Sequence, residues 1–307
     1  MKKKSQVIFV SGILACTLVL SGCKDKYGMV KIKGGAFTEV QAKQIEGLKV
    51  ADVDLLEQEK NPKTFSLGVS DFYISKYEVT QQLYDSVMSK DAESNSKPSY
   101  FDESPAENEK QELRPVERVT WYDCLLFCNR LSKQEGLDPV YTIDDISRYK
   151  NGRGINKATV TADYSKNGYR LPTRAEWIYA ASGGTKSKNK NNYSGSANLD
   201  EIAWHENNAD EMTHQVGLKK PNELGLYDMN GNVAEWCWDC LWTETLNCDA
   251  VSDYKGPSSG RYRYILGGTF VKNYSGIEFY YDIYRELGGI QGSRYQTIGF
   301  RIARNVK

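Results

Sequence analysis

The tightest constraint on this chain is a stretch near its C-terminal end that follows no period. Tyr264-Ile265-Leu266 runs into Gly267-Gly268, and Ile298-Gly299-Phe300-Arg301-Ile302-Ala303 alternates apolar with polar residues. Both ends therefore predict strands, the second of them half-buried. From Val271 to Thr297 neither a helical nor a strand period emerges. The fold has to hold two strands around an irregular segment dense in Tyr, Ser, Gly and Asp. Seven of the 21 tyrosines lie between Tyr262 and Tyr295, which is the composition of a binding loop. Tyrosine offers a stiff, amphipathic contact surface at low entropic cost, and Ser and Gly let a loop adapt. Composition equally allows a surface segment around a satellite cluster of aromatics, and both readings stay open here.

At the other end, Lys2, Lys3 and Lys4 lead into the apolar run Val7 to Leu20. The run is too short to span a bilayer and has the order of a secretory signal. It ends in Leu20-Ser21-Gly22-Cys23, which resembles the bacterial lipoprotein box. The resemblance implies a signal peptide over 1–22, cleavage before Cys23, lipidation of Cys23 and a tether over 23–27. The mature chain would keep 285 residues, 307 minus 22. A lipidated cysteine supplies the more than one acyl chain that stable anchoring needs. The implied location is the bacterial cell envelope, lipid-anchored on the outer surface, with the membrane as a partner through the anchor. Losing the leader removes three lysines and no acid, so the 40 acidic residues then face 37 basic ones. That balance gives no basic footprint for nucleic acid, and none is expected as a partner.

Five cysteines remain beyond the leader: Cys124, Cys128, Cys237, Cys240 and Cys248. An odd count leaves at least one thiol free or paired outside the chain. Cys124 with Cys128, and Cys237-Trp-Asp-Cys240, have spacings that could ligate zinc. Buried thiols or one disulfide are the simpler reading in such aromatic contexts.

The body carries local signals. Met29–Ile32 and Phe72–Ile74 predict strands, and residues 41–66 a charged, solvated insertion. Thr80 predicts an N-cap for a helix to about Ser89, burying Leu83, Tyr84 and Val87. Residues 90–112 read as a long loop. Thr120 with Asp123 predicts a capped helix to about Gln134, burying Cys124, Leu125, Cys128 and Leu131 and stopped by Gly136. Weak strands follow at Val140–Thr142 and Ala158–Val160. Thr173 with Glu176 forms a capping box for a helix ended by Gly183-Gly184. In Leu226-Tyr227-Asp228-Met229-Asn230-Gly231-Asn232-Val233-Ala234-Glu235-Trp236, oxygen-bearing side chains gather around a glycine. A hard cation such as calcium suits such donors. On spacing alone, a turn whose polar side chains cap its own backbone is the simpler reading.

Taken together, F-Y-I-S-K-Y-E-V-T, R-P-V-E-R-V-T-W-Y-D, G-Y-R-L-P-T-R-A-E-W, G-L-Y-D-M-N-G-N-V-A-E-W, L-G-G-T-F and I-G-F-R-I-A resemble the formylglycine-generating-enzyme or sulfatase-modifying-factor family. The pieces follow one another in family order over about residues 28–304. The resemblance implies one α+β domain over 28–307, a C-type lectin fold of the formylglycine-generating-enzyme type. Little regular structure, antiparallel strands and a few helices are expected. It also implies a structural calcium held by Asp228, the carbonyls of Gly231 and Val233, and Glu235. Asp228 stands where the family has Asn, which keeps an oxygen and adds charge.

The departure is at the catalytic positions. The family's enzymes bind copper through two cysteines shortly after the Gly-Gly. The matching residues here are Lys272 and Ile277, and neither offers the thiolate that copper(I) wants. A related branch holds iron with three histidines, and this chain has only His205 and His214. Neither copper nor iron, and no enzymatic activity, is therefore expected. What remains resembles the variable proteins of diversity-generating retroelements, of the treponemal type, which are ligand-binding lipoproteins on this fold. In these the segment between the Gly-Gly and the Gly-Phe-Arg, here about 265–303, is rewritten at template adenines. The rewritten codons give Tyr, Ser, Gly, Asp, Phe, Ile or Asn, but never Lys, Gln, Glu, Met or Trp. The resemblance implies ligand contacts at Asn273, Tyr274, Ser275, Phe279, Tyr280, Tyr281, Asp282, Tyr284, Ser293, Arg294 and Tyr295. Lys272, Glu278, Glu286, Gln291 and Gln296 fall outside that menu and are expected to be scaffold. The expected partner is a protein or cell-surface ligand. An exported sulfatase-modifying enzyme with an atypical active site, and a static lipoprotein, are the competing readings.

Overall fold

The computed structural model describes residues 27–40, 64–90, 94–150, 152, 154–187, 193–241, 250–257, 260, 262–274, 277–278 and 287–306. The leader with Cys23, nearly all of the charged stretch 41–66, and Cys248 lie outside the described residues.

Short capped helices appear where the Thr signals predict them. Helix α1 (Gln81–Met88) starts at Thr80, whose hydroxyl accepts the Leu83 amide. Helix α2 (Trp121–Gln134) opens on a reciprocal box: the Thr120 hydroxyl accepts the Asp123 amide and the Asp123 carboxylate accepts the Thr120 amide. The chain then leaves through Gly136 at φ 67°. Helix α3 (Arg174–Ala181) repeats the device with Thr173 and Glu176. All of its residues but Arg174 are buried, Glu176 included, whose two oxygens accept from Arg170. Helix α4 (Leu199–Ile202) is a single turn capped by Asn198. Each cap satisfies an otherwise orphaned amide and contributes about 1 kcal/mol.

Three sheets organise the rest. One runs Met29–Ile32, Phe72–Ser75, Ala303–Asn305, Tyr169–Arg170, wholly antiparallel, and joins the first and last described strands. A second runs Leu287–Ile290, Tyr262–Leu266, Ala234–Cys240, Ile298–Gly299, with the last pair parallel. A third runs Gly35–Val40, Thr64–Val69, Ala250–Ser252. The second sheet is the partition of the molecule. Trp236 and Ile265 face a core built from α1, α2 and Phe300. Cys237, Tyr264 and Leu266 face another, built from α3 and the strands Thr64–Val69 and Phe72–Ser75. Because both of its faces are covered, Ala234–Cys240 is buried almost throughout, and the apolar run expected of such a strand is broken by the buried carboxylates of Glu235 and Asp239.

Three expectations are corrected. The run 298–303 is not one half-buried strand. Ile298–Gly299 and Ala303–Asn305 belong to different sheets, and residues 297–303 are all buried, Arg301 included. The weak strands near Val140 and Ala158 form one hairpin, Tyr141–Arg148 with Ile155–Ala162. The segment between Val271 and Thr297 is not uniformly irregular, because Leu287–Ile290 returns to the second sheet beside Tyr262–Ile265. Gly289 makes this pairing possible: a Cβ there would lie 2.4 Å from both Trp236 and Ile265. Cys124, Cys128, Cys237 and Cys240 are buried free thiols rather than a disulfide. Among the described residues no group of three or more His, Cys, Asp or Glu side chains could hold a metal ion. None of the described helices is long and apolar enough to cross a membrane.

Candidate functional site

The C-terminal segment starts where Gly267 (φ 99°) and Gly268 (φ 74°) turn the chain out of the second sheet. Its first residues are pinned. The Phe270 amide donates to the Asn232 carbonyl at 2.8 Å. The buried Phe270 ring meets Phe101 edge-on at 5.2 Å. Asn273–Tyr274 then pairs with Ile277–Glu278 as a minimal hairpin.

The returning end is pinned as firmly. Gln291 takes the Tyr122 hydroxyl on its Oε1, and its Nε2 donates to the Gly260 carbonyl at 2.8 Å. The Trp121 amide donates to its backbone carbonyl at 3.0 Å. The Gly292 carbonyl accepts the Tyr149 hydroxyl from the 141–162 hairpin. Arg294 Nε donates to the Arg118 carbonyl at 2.7 Å, while the Arg118 amide donates to the Tyr295 carbonyl at 3.0 Å.

Of the expected contacts, Ser293, Arg294 and Tyr295 come together at this returning end, each half-buried, with Tyr295 packed against the core. Asn273 and Tyr274 enter only through their strand pairing. Ser275, Phe279, Tyr280, Tyr281, Asp282 and Tyr284 lie outside the described residues.

Sequence reasoning missed a wall contributed by the loop before α2. Glu117 is buried and its Oε1 accepts the amides of Tyr100 (2.7 Å) and Phe101 (3.0 Å). Burial pushes its carboxyl up to about 8, against the pull of those two amides and of Arg118 and Arg114. Arg114, also buried, donates to Thr213 Oγ1 at 3.0 Å and lies 5.2 Å from the Phe101 ring centroid. Arg118 lies 5.9 Å from the ring centroid of Tyr100, which is 55% exposed. In the sequence, the R-P-V-E-R run stands out only as part of one of the motifs of the family resemblance.

Beneath this face is a buried polar centre. Arg301 grips Glu235 in a fork, Nε to Oε2 at 2.6 Å and NH2 to Oε1 at 2.7 Å, and Trp177 Nε1 donates to Oε2 at 2.7 Å. The rest of the guanidinium reaches the carbonyls of Ser75, Lys76 and Tyr227. Glu78 accepts the Val233 amide and the Asn232 side chain. Burial, then the charges of Asp228 and Glu235, pushes its carboxyl well above the usual range. Asp228 takes the Gly217 amide on Oδ2 at 2.7 Å, while its buried Oδ1 has no partner. Burial raises it to about 6.

Asp228 and Glu235, two of the residues expected to hold calcium, thus come together around Arg301. Both oxygens of Glu235 are already held by Arg301 and Trp177, and the guanidinium supplies the positive charge. Glu235 therefore has no free oxygen here, while Asp228 keeps Oδ1 unpartnered. The two histidines are also engaged: His214 contacts Glu109 at 2.8 Å and the Ala209 carbonyl at 3.0 Å, and His205 contacts Asp200 at 2.7 Å.

Known proteins share this frame. Residues 18–306 match the sulfatase-modifying factor enzyme 1-like domain. The chaperone protein LppX of Paenibacillus barcinonensis is 41% identical over 250 residues, 75% of this chain and 77% of its own length. The solved structure of Treponema denticola variable protein 1 superposes with a TM-score of 0.69 at 34% identity, over 90% of this chain and 94% of that one. The formylglycine-generating enzyme of Mus musculus is 33% identical over 149 residues, 44% of this chain and 39% of its own length. The architecture is the formylglycine-generating-enzyme type of C-type lectin fold. With its motifs, sheets and relatives in agreement over nearly the whole length, the chain belongs to the sulfatase-modifying factor enzyme 1-like family.

Proposed function

We propose that this protein is a lipid-anchored, non-catalytic binding protein of the bacterial envelope, whose C-terminal segment forms a ligand site diversified by a retroelement. One observation carries the reading: the segment leaves and re-enters the framework through fixed hydrogen bonds at Phe270 and at Gln291–Tyr295. Residues between Phe270 and the returning strand Leu287–Ile290 can then be exchanged while the two cores stay as they are, whereas that strand itself is part of the framework. Gln291, which adenine-directed rewriting cannot produce, is one of the anchors. The likeness to a treponemal variable protein supports the same reading. A protein is the favoured ligand, in keeping with the name of the Paenibacillus relative, a chaperone. Sequencing the gene from several isolates tests the proposal. Differences are expected to cluster at the codons of Asn273, Tyr274, Ser275, Phe279, Tyr280, Tyr281, Asp282, Tyr284, Ser293 and Tyr295. An even spread along the gene would remove the retroelement from the reading.

The kinship with formylglycine-generating enzymes favours a second reading, oxidation of a cysteine in a peptide substrate. Incubation of copper-loaded protein with a cysteine-containing peptide decides between the two, and no aldehyde product is expected.

A further inference from the structure

Arg118 sits at φ 58°, a left-handed conformation that costs a side chain other than glycine, asparagine or aspartate of order 1 kcal/mol or more. It is held there from both sides, its amide on the Tyr295 carbonyl and its carbonyl on Arg294 Nε. Arg118 is half-buried; its charge acts on the buried carboxyl of Glu117, but among the described residues it is held in no salt bridge. It lies 5.9 Å from the ring centroid of Tyr100, among the most exposed large side chains described. Tyr100 is itself set in place by Glu117. A strained arginine without an ion-pair partner, over an exposed tyrosine, at the foot of the C-terminal segment, is a costly arrangement for packing alone. Arg and Tyr are also the side chains that most often anchor protein interfaces.

We propose that Arg118 and Tyr100 form an invariant anchor beside the C-terminal segment, and that the anchor takes a carboxylate from an acidic segment of a protein ligand. The guanidinium fork pairs two N–H groups with the two carboxylate oxygens, and the tyrosine ring covers the pair from solvent. Arg294 stands beside it, fixed by its bond to the Arg118 carbonyl. The anchor would supply a constant charge contact while the neighbouring segment supplies changeable selectivity. The inference rests on the reading of the C-terminal face as the binding face.

The probe is a fluorescein-labelled glutamate-rich peptide, followed by anisotropy on the mature chain, with a lysine-rich peptide as control. Saturable, salt-sensitive binding of the acidic peptide alone is expected. Arg118→Gly should weaken it about tenfold, the loss of one charge-assisted pair. The same variant should melt at or above the wild-type temperature, because glycine is at ease at φ 58°. Equal binding of both peptides, unchanged affinity in Arg118→Gly, or a lowered melting temperature in that variant would each overturn the inference. A chain with residues 273–284 replaced by Gly-Ser separates the two readings. If it still binds the peptide through Arg118, the anchor stands and the segment is not the site. If it loses the peptide while Arg118→Gly keeps it, the segment is the site and the anchor is wrong.

Discussion

Arg301 and Arg118 are two arginines on either side of the same face, and the protein treats them oppositely. Arg301 is wholly buried and its fork on Glu235 locks the second sheet to the carbonyls of Ser75 and Tyr227. Arg118 is half-exposed, strained, and leaves its guanidinium without an ion pair among the described residues. The first charge is spent on holding the framework, and the second is kept for the surface. A buried ion pair is a weak source of net stability, but it makes the position intolerant of change. The contrast predicts where substitution should be catastrophic and where it should be silent.

The largest expected effect is at the centre. Arg301→Met leaves Glu235 charged and buried without its cation, a loss of about 3–5 kcal/mol that urea unfolding would register. A shift under 1 kcal/mol would mean the fork is not what holds the sheets together. Next, Gly289→Ala pushes a methyl into Trp236 and Ile265, costing roughly 1–3 kcal/mol by overpacking. Thr173→Ala removes one half of a capping box and should cost about 1 kcal/mol.

A fourth comparison uses pH. Glu117 and Asp228 bind protons more tightly folded than unfolded, since burial raises them to about 8 and about 6. The stability each contributes is therefore full below the ordinary carboxyl range and lost as pH rises through those values. Melting temperature should fall between pH 5 and pH 9, and Glu117→Gln should flatten the upper part of that fall. A profile that Glu117→Gln leaves untouched would place the titration elsewhere. The smallest effect should come from chelation. With Arg301 neutralising Glu235, EDTA is expected to leave the melting temperature unchanged, and a marked drop would restore calcium to the centre.

How much of this was legible follows from how local each signal is. Thr80, Thr120 and Thr173 satisfy amides three residues away, so their helices could be read with their ends. Arg301 could not: alternation marks it as outward, and only Glu235, 66 residues distant, explains why it is inside. Leu287–Ile290 was hidden because its two glycines, poor strand formers, are there to clear Leu241, Trp236 and Ile265. The 141–162 hairpin was underestimated because Asp144, Asp145 and register shifts break its alternation. The wall at Tyr100 to Arg118 escaped for a related reason. Its charges are recognisable as a site only once Tyr295 and Phe270 are beside them.

The pairing of Tyr262–Ile265 with Leu287–Ile290 has one more consequence. The excursion between these strands begins and ends on rungs of the same ladder, so its closure is settled by the sheet and not by its own span. For a flexible loop, doubling the span adds only about 0.6 kcal/mol. Insertions and deletions between these two strands should therefore cost little, so the reach of the segment is open to change without any change in the sheet.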